Sequence, residues 1–263
     1  MGKFLFWTLV VAILIFLTIP AVVVIMSSVN PTETLAFPPK GFSLHWYARA
    51  FSYDDFRTSF YSGLIVTFFA STIASVIGVA AAYVTHRYAF RGRRLLEFLL
   101  AAPLIIPRFT TGFGFLLVGA GLGINNGYTI VIVTHVVLVL PFVTRSVYVS
   151  LVNVDRSLER SAANLGASPI NVLLRITLPL LTPGIVGGWI IAAILSFTEF
   201  TASLYVTSYA TQTLPVAMYT YVREYTDPTI AAISALLIIT TTLGMFIVDR
   251  TLGLKRVLAI ESH

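Results

Sequence analysis

The sequence predicts an all-α integral membrane protein with six membrane-spanning helices, and three observations carry that expectation. Uncharged apolar runs of about twenty residues recur along the chain, the length a helix needs to cross a hydrocarbon core. Charged residues are 11% of the total, against about 25% in an ordinary soluble domain. The mean hydropathy is +0.89. Nothing in 263 residues is left over for a sizeable soluble domain, so residues 1–263 read as a single membrane domain. Cysteine is absent, which excludes disulfides, thiolate metal sites and cysteine nucleophiles. A formal net charge of +6 would suggest a nucleic-acid partner in a soluble protein. Here it is read as Lys and Arg retained on the cytoplasmic side of a membrane, with no nucleic acid expected.

The first span is expected at about 5–28. From Phe4 to Thr32 no residue is charged, and the run is too long for a signal peptide, whose apolar core is roughly 7–15 residues. Pro20 is a possible kink. A polar and aromatic loop follows, with a turn at Pro38-Pro39 and Lys40-Gly41. Ser43 there can cap a short helix whose Leu44, Trp46, Tyr47 and Phe51 suit the lipid headgroup zone. His45 has no ligand cluster around it. The second span, about 62–85, is rich in small residues that allow close helix contacts in lipid.

The loop His86-Arg87-Tyr88-Ala89-Phe90-Arg91-Gly92-Arg93-Arg94 lies directly between two spans and is the strongest cytoplasmic marker. The third span, about 95–118, is irregular, with Pro103, Pro107, Gly112 and Gly114 inside it. Such backbone is tolerated where it faces protein or a cavity rather than lipid. Arg108 within it either faces the bundle interior or a water path, or snorkels from a tilted helix end. The glycines of Gly119–Gly127 form an external turn, including Asn125 and Asn126. They lack the strand, the Lys and the spacing of a phosphate loop, so no nucleotide site is expected. The fourth span is about 129–149, and His135 in it reads as a packed or hydrogen-bonded residue rather than a proton carrier.

The fifth span is placed at about 183–206. Glu199 within it is flanked by more than twenty uncharged residues on each side. A carboxylate there is costly unless it faces water or a partner, which makes it a path candidate, the other reading being a hydrogen bond to a neighbouring span. Residues 207–228 form an outer loop containing a rim helix, and Asp227-Pro228 opens the sixth span, about 229–248.

Between the fourth and fifth spans lies a cytoplasmic loop of about 155–180. Gly166 in Leu165-Gly166-Ala167-Ser168-Pro169 reads as a helix stop, a turn and a restart with Pro169 near the first position. A short helix opened by a Ser or Asp cap precedes it, beginning near Ser157. On these residues alone the segment is either a connector or a docking element. With both termini inside, the cytoplasmic regions hold Lys3, Arg87, Arg91, Arg93, Arg94, Arg145, Arg156, Arg160, Arg175, Arg250, Lys255 and Arg256. That is 12 of the 17 basic residues, which favours both termini in the cytoplasm.

With these spans and this loop, the chain resembles the permease subunits of bacterial ABC importers. Their hallmark loop carries a Glu-Ala-Ala group, a Gly, and nine residues later Ile-x-Leu-Pro. Gly166 followed by nine residues and Ile176-Thr177-Leu178-Pro179 matches. The Glu-Ala-Ala positions fall on Arg160, Ser161 and Ala162, so a base stands where the family has an acid, with Glu159 one place earlier. Phe37-Pro38-Pro39-Lys40-Gly41-Phe42-Ser43, Phe90-Arg91-Gly92-Arg93, Ser196-Phe197-Thr198-Glu199-Phe200 and Thr213-Leu214-Pro215 are similar to the spermidine/putrescine branch. Branches for phosphonates, ferric ion or thiamine carry similar loops.

The resemblance implies a chain that is not itself an enzyme and holds no metal or cofactor. It implies a second homologous permease, two copies of an ATP-hydrolysing subunit and a periplasmic binding protein, assembled in the bacterial inner membrane with its lipid. Coupling to the ATPase would fall to Ser157, Glu159, Arg160, Ala162, Leu165, Gly166 and Pro179. Glu199, with Phe197, Phe200 and Arg108, would line the translocation path, worked by alternating access. A secondary transporter or channel independent of ATP is the alternative from another class, although such proteins usually show more spans or an internal repeat.

Overall fold

A computed structural model describes residues 2–124 and 127–252, and it is all-α throughout the described residues. Asn125, Asn126, Lys255 and Arg256 lie outside them. Five helices are long and apolar enough to cross a membrane: α1 (Gly2–Ser27), α3 (Asp54–Arg87), α6 (Tyr128–Asn153), the continuous run Pro169–Phe197, and α12 (Thr229–Leu252) over Thr229–Phe246. Two further helices, α4 (Arg93–Ala101) with the 3-10 turn Ala102–Leu104 and then α5 (Arg108–Gly121), bring the number to six only when this bent pair is counted as one span. The chain separates into two compact units. One is residues up to Thr58 with Ala217–Leu243; the other is Ser59–Val216 with the residues from Gly244.

In the first unit, α2 (His45–Ser52) carries Trp46 into the core, where it is 1% exposed and donates its indole N–H to the Asn30 carbonyl at 2.7 Å. The sequence placed Trp46 in the headgroup zone. Aromatic composition cannot separate an interfacial ring from a core ring whose N–H has found an acceptor. Leu44 and Phe51 do remain exposed, and Tyr47 spends its hydroxyl on Ser28 at 2.6 Å. Tyr53 and Phe56 pack with Tyr221 and Tyr225 of α11 (Leu214–Glu224), with ring centroids 4.7–6.4 Å apart. Burial and the nearby Asp55 push the Tyr53 phenol up to about 12. Asp227 ties this cluster to the start of α12 by accepting from the Tyr221 hydroxyl and the Thr229 N–H and pairing with Arg49 at 3.3 Å.

The second unit is organised around α6, the most deeply enclosed of the long helices. It packs against α9 (Leu178–Phe197) through a seam of small residues. A Cβ on Gly184 would lie 2.0 Å from the Ser150 hydroxyl oxygen, and Ser146 donates to the Gly184 carbonyl at 2.8 Å. Without a hydrophobic drive between helices in lipid, contacts of this kind hold them together.

Two intervals differ from their expected form. The 95–118 interval is not one helix but two, bent by 105° between Leu104 and Arg108. Pro107 has no N–H to continue the helix and drives Ile106 away from helical backbone. The expected 183–206 helix instead starts within the Gly166–Pro179 loop motif and stops at Phe197, leaving Thr198–Ala202 non-helical before the single turn α10 (Ser203–Val206). At its start, a π-helical turn over Leu173–Thr177 precedes Pro179, whose missing N–H leaves the Arg175 carbonyl without its usual partner.

Candidate functional site

Two constellations in the second unit gather the residues that the sequence singled out. The first is the loop helix α7 (Arg156–Asn164). Asp155 caps it, with one carboxylate oxygen accepting from the Ser157 N–H at 2.8 Å and the other from its hydroxyl at 2.7 Å. These bonds hold the exposed Asp155 carboxyl below the usual carboxylate range. The helix ends in a Schellman motif: Gly166 sits at φ +89°, its N–H reaches the Ala163 carbonyl, and the Ala167 N–H reaches the Ala162 carbonyl. Ser168 then caps the next turn, α8 (Pro169–Val172), with Pro169 at its first position, the stop and restart expected from sequence.

Leu165 at the tip is 90% exposed, and Leu158, Arg160, Ser157, Gly166 and Pro179 are exposed too. Glu159 and Ala162, three residues apart and hence on one face of the helix, are partly buried. The loop thus holds out a rigid, doubly capped helix with apolar knobs on its far side. Glu159 is among the residues to which the resemblance assigns ATPase coupling, and its carboxylate is directed toward Arg87 and Thr177.

The second constellation lies where two interrupted helices meet. Arg108 opens α5 immediately after the 105° bend, and Glu199 sits in the interruption that follows α9. The Arg108 guanidinium bonds one Glu199 carboxylate oxygen, and the other accepts from the Ala202 N–H at 2.9 Å. Glu199 is 3% exposed while the Arg108 side chain is 45% exposed. The acid is therefore sealed and neutralised, and the base is the half that remains open.

Gly112 makes this approach possible, since a Cβ there would lie 2.7 Å from both the Ala202 Cα and its carbonyl oxygen. Phe197 packs on α3, edge to face with Phe60 at 5.7 Å and beneath Gly63, where an added Cβ would lie 3.3 Å from its ring, and Phe200 is half-buried.

Behind the pair, His135 of α6 bridges the break, 2.8 Å from the Ser196 hydroxyl and 2.9 Å from that of Ser203. Ser203 gives its own proton to the Glu199 carbonyl at 2.9 Å, so it accepts from His135 Nε2–H. A neutral ring then takes its other bond from Ser196. Ser196 entered the sequence reading only within the Ser196–Phe200 stretch and Ser203 not at all, although their spacing astride an apparent helix was the available signal. Discontinuous helices whose ends converge on polar side chains are the arrangement from which transporters build solute sites. Among the described residues no three His, Asp or Glu side chains converge as a metal site.

Comparison with known proteins places this architecture. Residues 74–253 match the family described as "Binding-protein-dependent transport system inner membrane component". The chain is 28% identical over 224 residues to the spermidine/putrescine transport system permease protein PotC of Haemophilus influenzae, covering 85% of this chain and 87% of that protein. It is 30% identical over 241 residues to the putrescine transport system permease protein PotI of Escherichia coli, covering 88% and 85%. It is 29% identical over 245 residues to a putative 2-aminoethylphosphonate transport system permease protein of Salmonella paratyphi A, covering 91% of each. In fold it is similar to a bacterial ABC transporter involved in the import of the acidic polysaccharide alginate, with a TM-score of 0.73 and 16% identity over 95% of this chain and 96% of that one. The chain belongs to the family of binding-protein-dependent transport system inner membrane components: it is a multi-pass membrane permease subunit of an ABC importer.

Proposed function

We propose that this permease serves polyamine uptake, contributing half of a translocation path and docking an ATPase through α7. The observation that carries the docking is the form of the loop: a nine-residue helix capped at both ends that presents Leu158, Arg160 and Leu165 outward. In this reading α7 lies in the cytoplasm with both chain termini, as the distribution of Lys and Arg supports. Two ATPase copies, a second homologous permease and a periplasmic binding protein complete the complex in the inner membrane.

The Arg108–Glu199 junction, with Phe197 and Phe200 nearby in sequence, is the proposed stretch of the path. Relatives named for spermidine and putrescine support a polyamine, and a carboxylate there suits an ammonium once Arg108 yields it. A second reading, an anionic solute such as an aminophosphonate, rests on the half-exposed Arg108 guanidinium and the phosphonate relative.

The test is solute-stimulated ATP hydrolysis by the permease purified with the partners encoded beside it. Stimulation by spermidine or putrescine supports the polyamine reading. Stimulation by 2-aminoethylphosphonate alone moves the assignment to the second reading, and by ferric ion or thiamine alone removes both.

A further inference from the structure

We propose that Glu159 is a positioning residue: it faces away from the ATPase and clamps α7 to the ends of two membrane helices. This rests on the reading of α7 as the docking helix. One oxygen of Glu159 accepts from the Arg87 guanidinium at 2.8 Å and from the Thr177 hydroxyl at 2.8 Å. Arg87 is the last residue of α3, and Thr177 is the last residue of the π-helical turn that runs straight into α9. One carboxylate therefore joins three separate elements, one of them seventy-two residues away in sequence.

The junction is dry, with the Arg87 side chain 8% and the Glu159 side chain 17% exposed. Arg87 Nε and Nη1 are buried without a partner, so Glu159 is the anion that offsets a largely buried cation. A second strut runs from Arg156, whose guanidinium reaches the His86 carbonyl at 3.4 Å. Helix geometry separates the roles of neighbouring residues. The next position along, Arg160, is turned by about 100° and exposed, so the side of α7 turned to solvent carries a base.

A displacement of α7 is thereby delivered to α3 and to α9, and α9 leads to the break that holds Glu199. The π turn gives this linkage a deformable element at the point where it is clamped, since such turns are less regularly bonded than the α-helix around them.

The test uses the assembled importer in lipid and reads ATPase co-purification, solute-stimulated ATP hydrolysis and uptake. Glu159→Gln is expected to lose solute stimulation by roughly tenfold or more, because it strands a buried guanidinium. Thr177→Val, which removes one hydroxyl without touching the charge, loses it to a smaller degree. Exchanging the charges, Arg87→Glu with Glu159→Arg, regains most of the stimulation, and the ATPase co-purifies with all three.

Wild-type stimulation in both Glu159→Gln and Thr177→Val overturns the clamp. So does loss of ATPase co-purification in Glu159→Gln that the charge exchange does not restore, which makes Glu159 a docking group. Leu165→Arg, at the exposed tip, distinguishes failure of the underlying reading. If it co-purifies with the ATPase like the wild type, α7 is not the docking helix and the clamp inference goes with it.

Discussion

Adding one methyl group at Gly112 should loosen the junction between the interrupted helices, while adding one at Gly114 on the same helix should not. The ideal Cβ at Gly112 lies 2.7 Å from the Ala202 Cα and carbonyl oxygen, and nothing lies within 4 Å of the one at Gly114. Relaxed carbon contacts sit near 3.5–4.0 Å, so α5 and the Thr198–Ala202 segment must part by about 1 Å. The obstacle is backbone, which cannot rotate away as a side-chain tip can. Overpacking of this kind costs about 1–3 kcal/mol, and Ala in place of Gly returns roughly 1 kcal/mol of helix propensity at either position. Gly112→Ala should therefore be destabilised by up to about 2 kcal/mol net, while Gly114→Ala is stabilised by up to about 1 kcal/mol. For a chain of this size the Gly112→Ala loss is a fall in melting temperature of up to about 8 °C. The assay is thermal unfolding of the purified complex in detergent, with solute-stimulated ATP hydrolysis alongside. Parting the helices should also weaken the Arg108–Glu199 pair, so stimulation falls in Gly112→Ala alone. If the two variants melt together and couple equally, the close approach of α5 to the break is not what holds the junction.

The same junction predicts an asymmetry. Arg108→Leu strands a carboxylate that is 3% exposed and should cost about 3–5 kcal/mol, while Glu199→Gln strands a guanidinium that is 45% exposed and should cost less. Melting temperatures in the reverse order would show the burial to be misassigned. Glu199→Gln should also lower uptake in membranes, and unchanged uptake and affinity would remove Glu199 from the path. At α7, Asp155→Ala should fray the helix while Asp155→Asn, another good cap, should not, as read by protease access to the loop. Because the folded Asp155 carboxyl titrates below its ordinary value, its capping is complete above the ordinary carboxylate range. It is lost only as pH falls through the lowered value, so fraying of the wild type at neutral pH would contradict it. Deleting 157–165 should abolish ATPase coupling whereas Arg160→Glu alone is tolerated; transport surviving the deletion would refute the role of α7.

What the sequence disclosed and what it hid follow from range of interaction. The stop at Gly166 and the restart at Pro169 were legible because each is fixed by its own neighbours, a left-handed residue that favours glycine and a ring with no N–H to give. The broken character of the third interval was legible from Pro103 and Pro107, though not its 105° angle, which depends on what the two halves pack against. The break after Phe197 was hidden, since hydropathy averages across Thr198–Thr201. What stabilises the break is Glu199 accepting from the Ala202 N–H three residues ahead of it and from a residue ninety-one positions earlier. Arg108 and Glu199 were each singled out as costly in a membrane, but no local pattern pairs them. Glu159 shows the same limit at close quarters. Its place in the motif was readable, but its direction was set by Arg87 and Thr177, which the fold brings from two other helices.

The central claim, that α7 is the element by which this permease meets its ATPase, is tested most directly by site-specific photo-crosslinking in the assembled complex. A photoreactive amino acid replaces Leu165, which is 90% exposed at the tip of the loop, or Leu122, which is 68% exposed in the turn expected on the opposite side. The account predicts an adduct with the ATPase subunit from position 165 and none from position 122. No adduct from 165, or equal adducts from both, would contradict it.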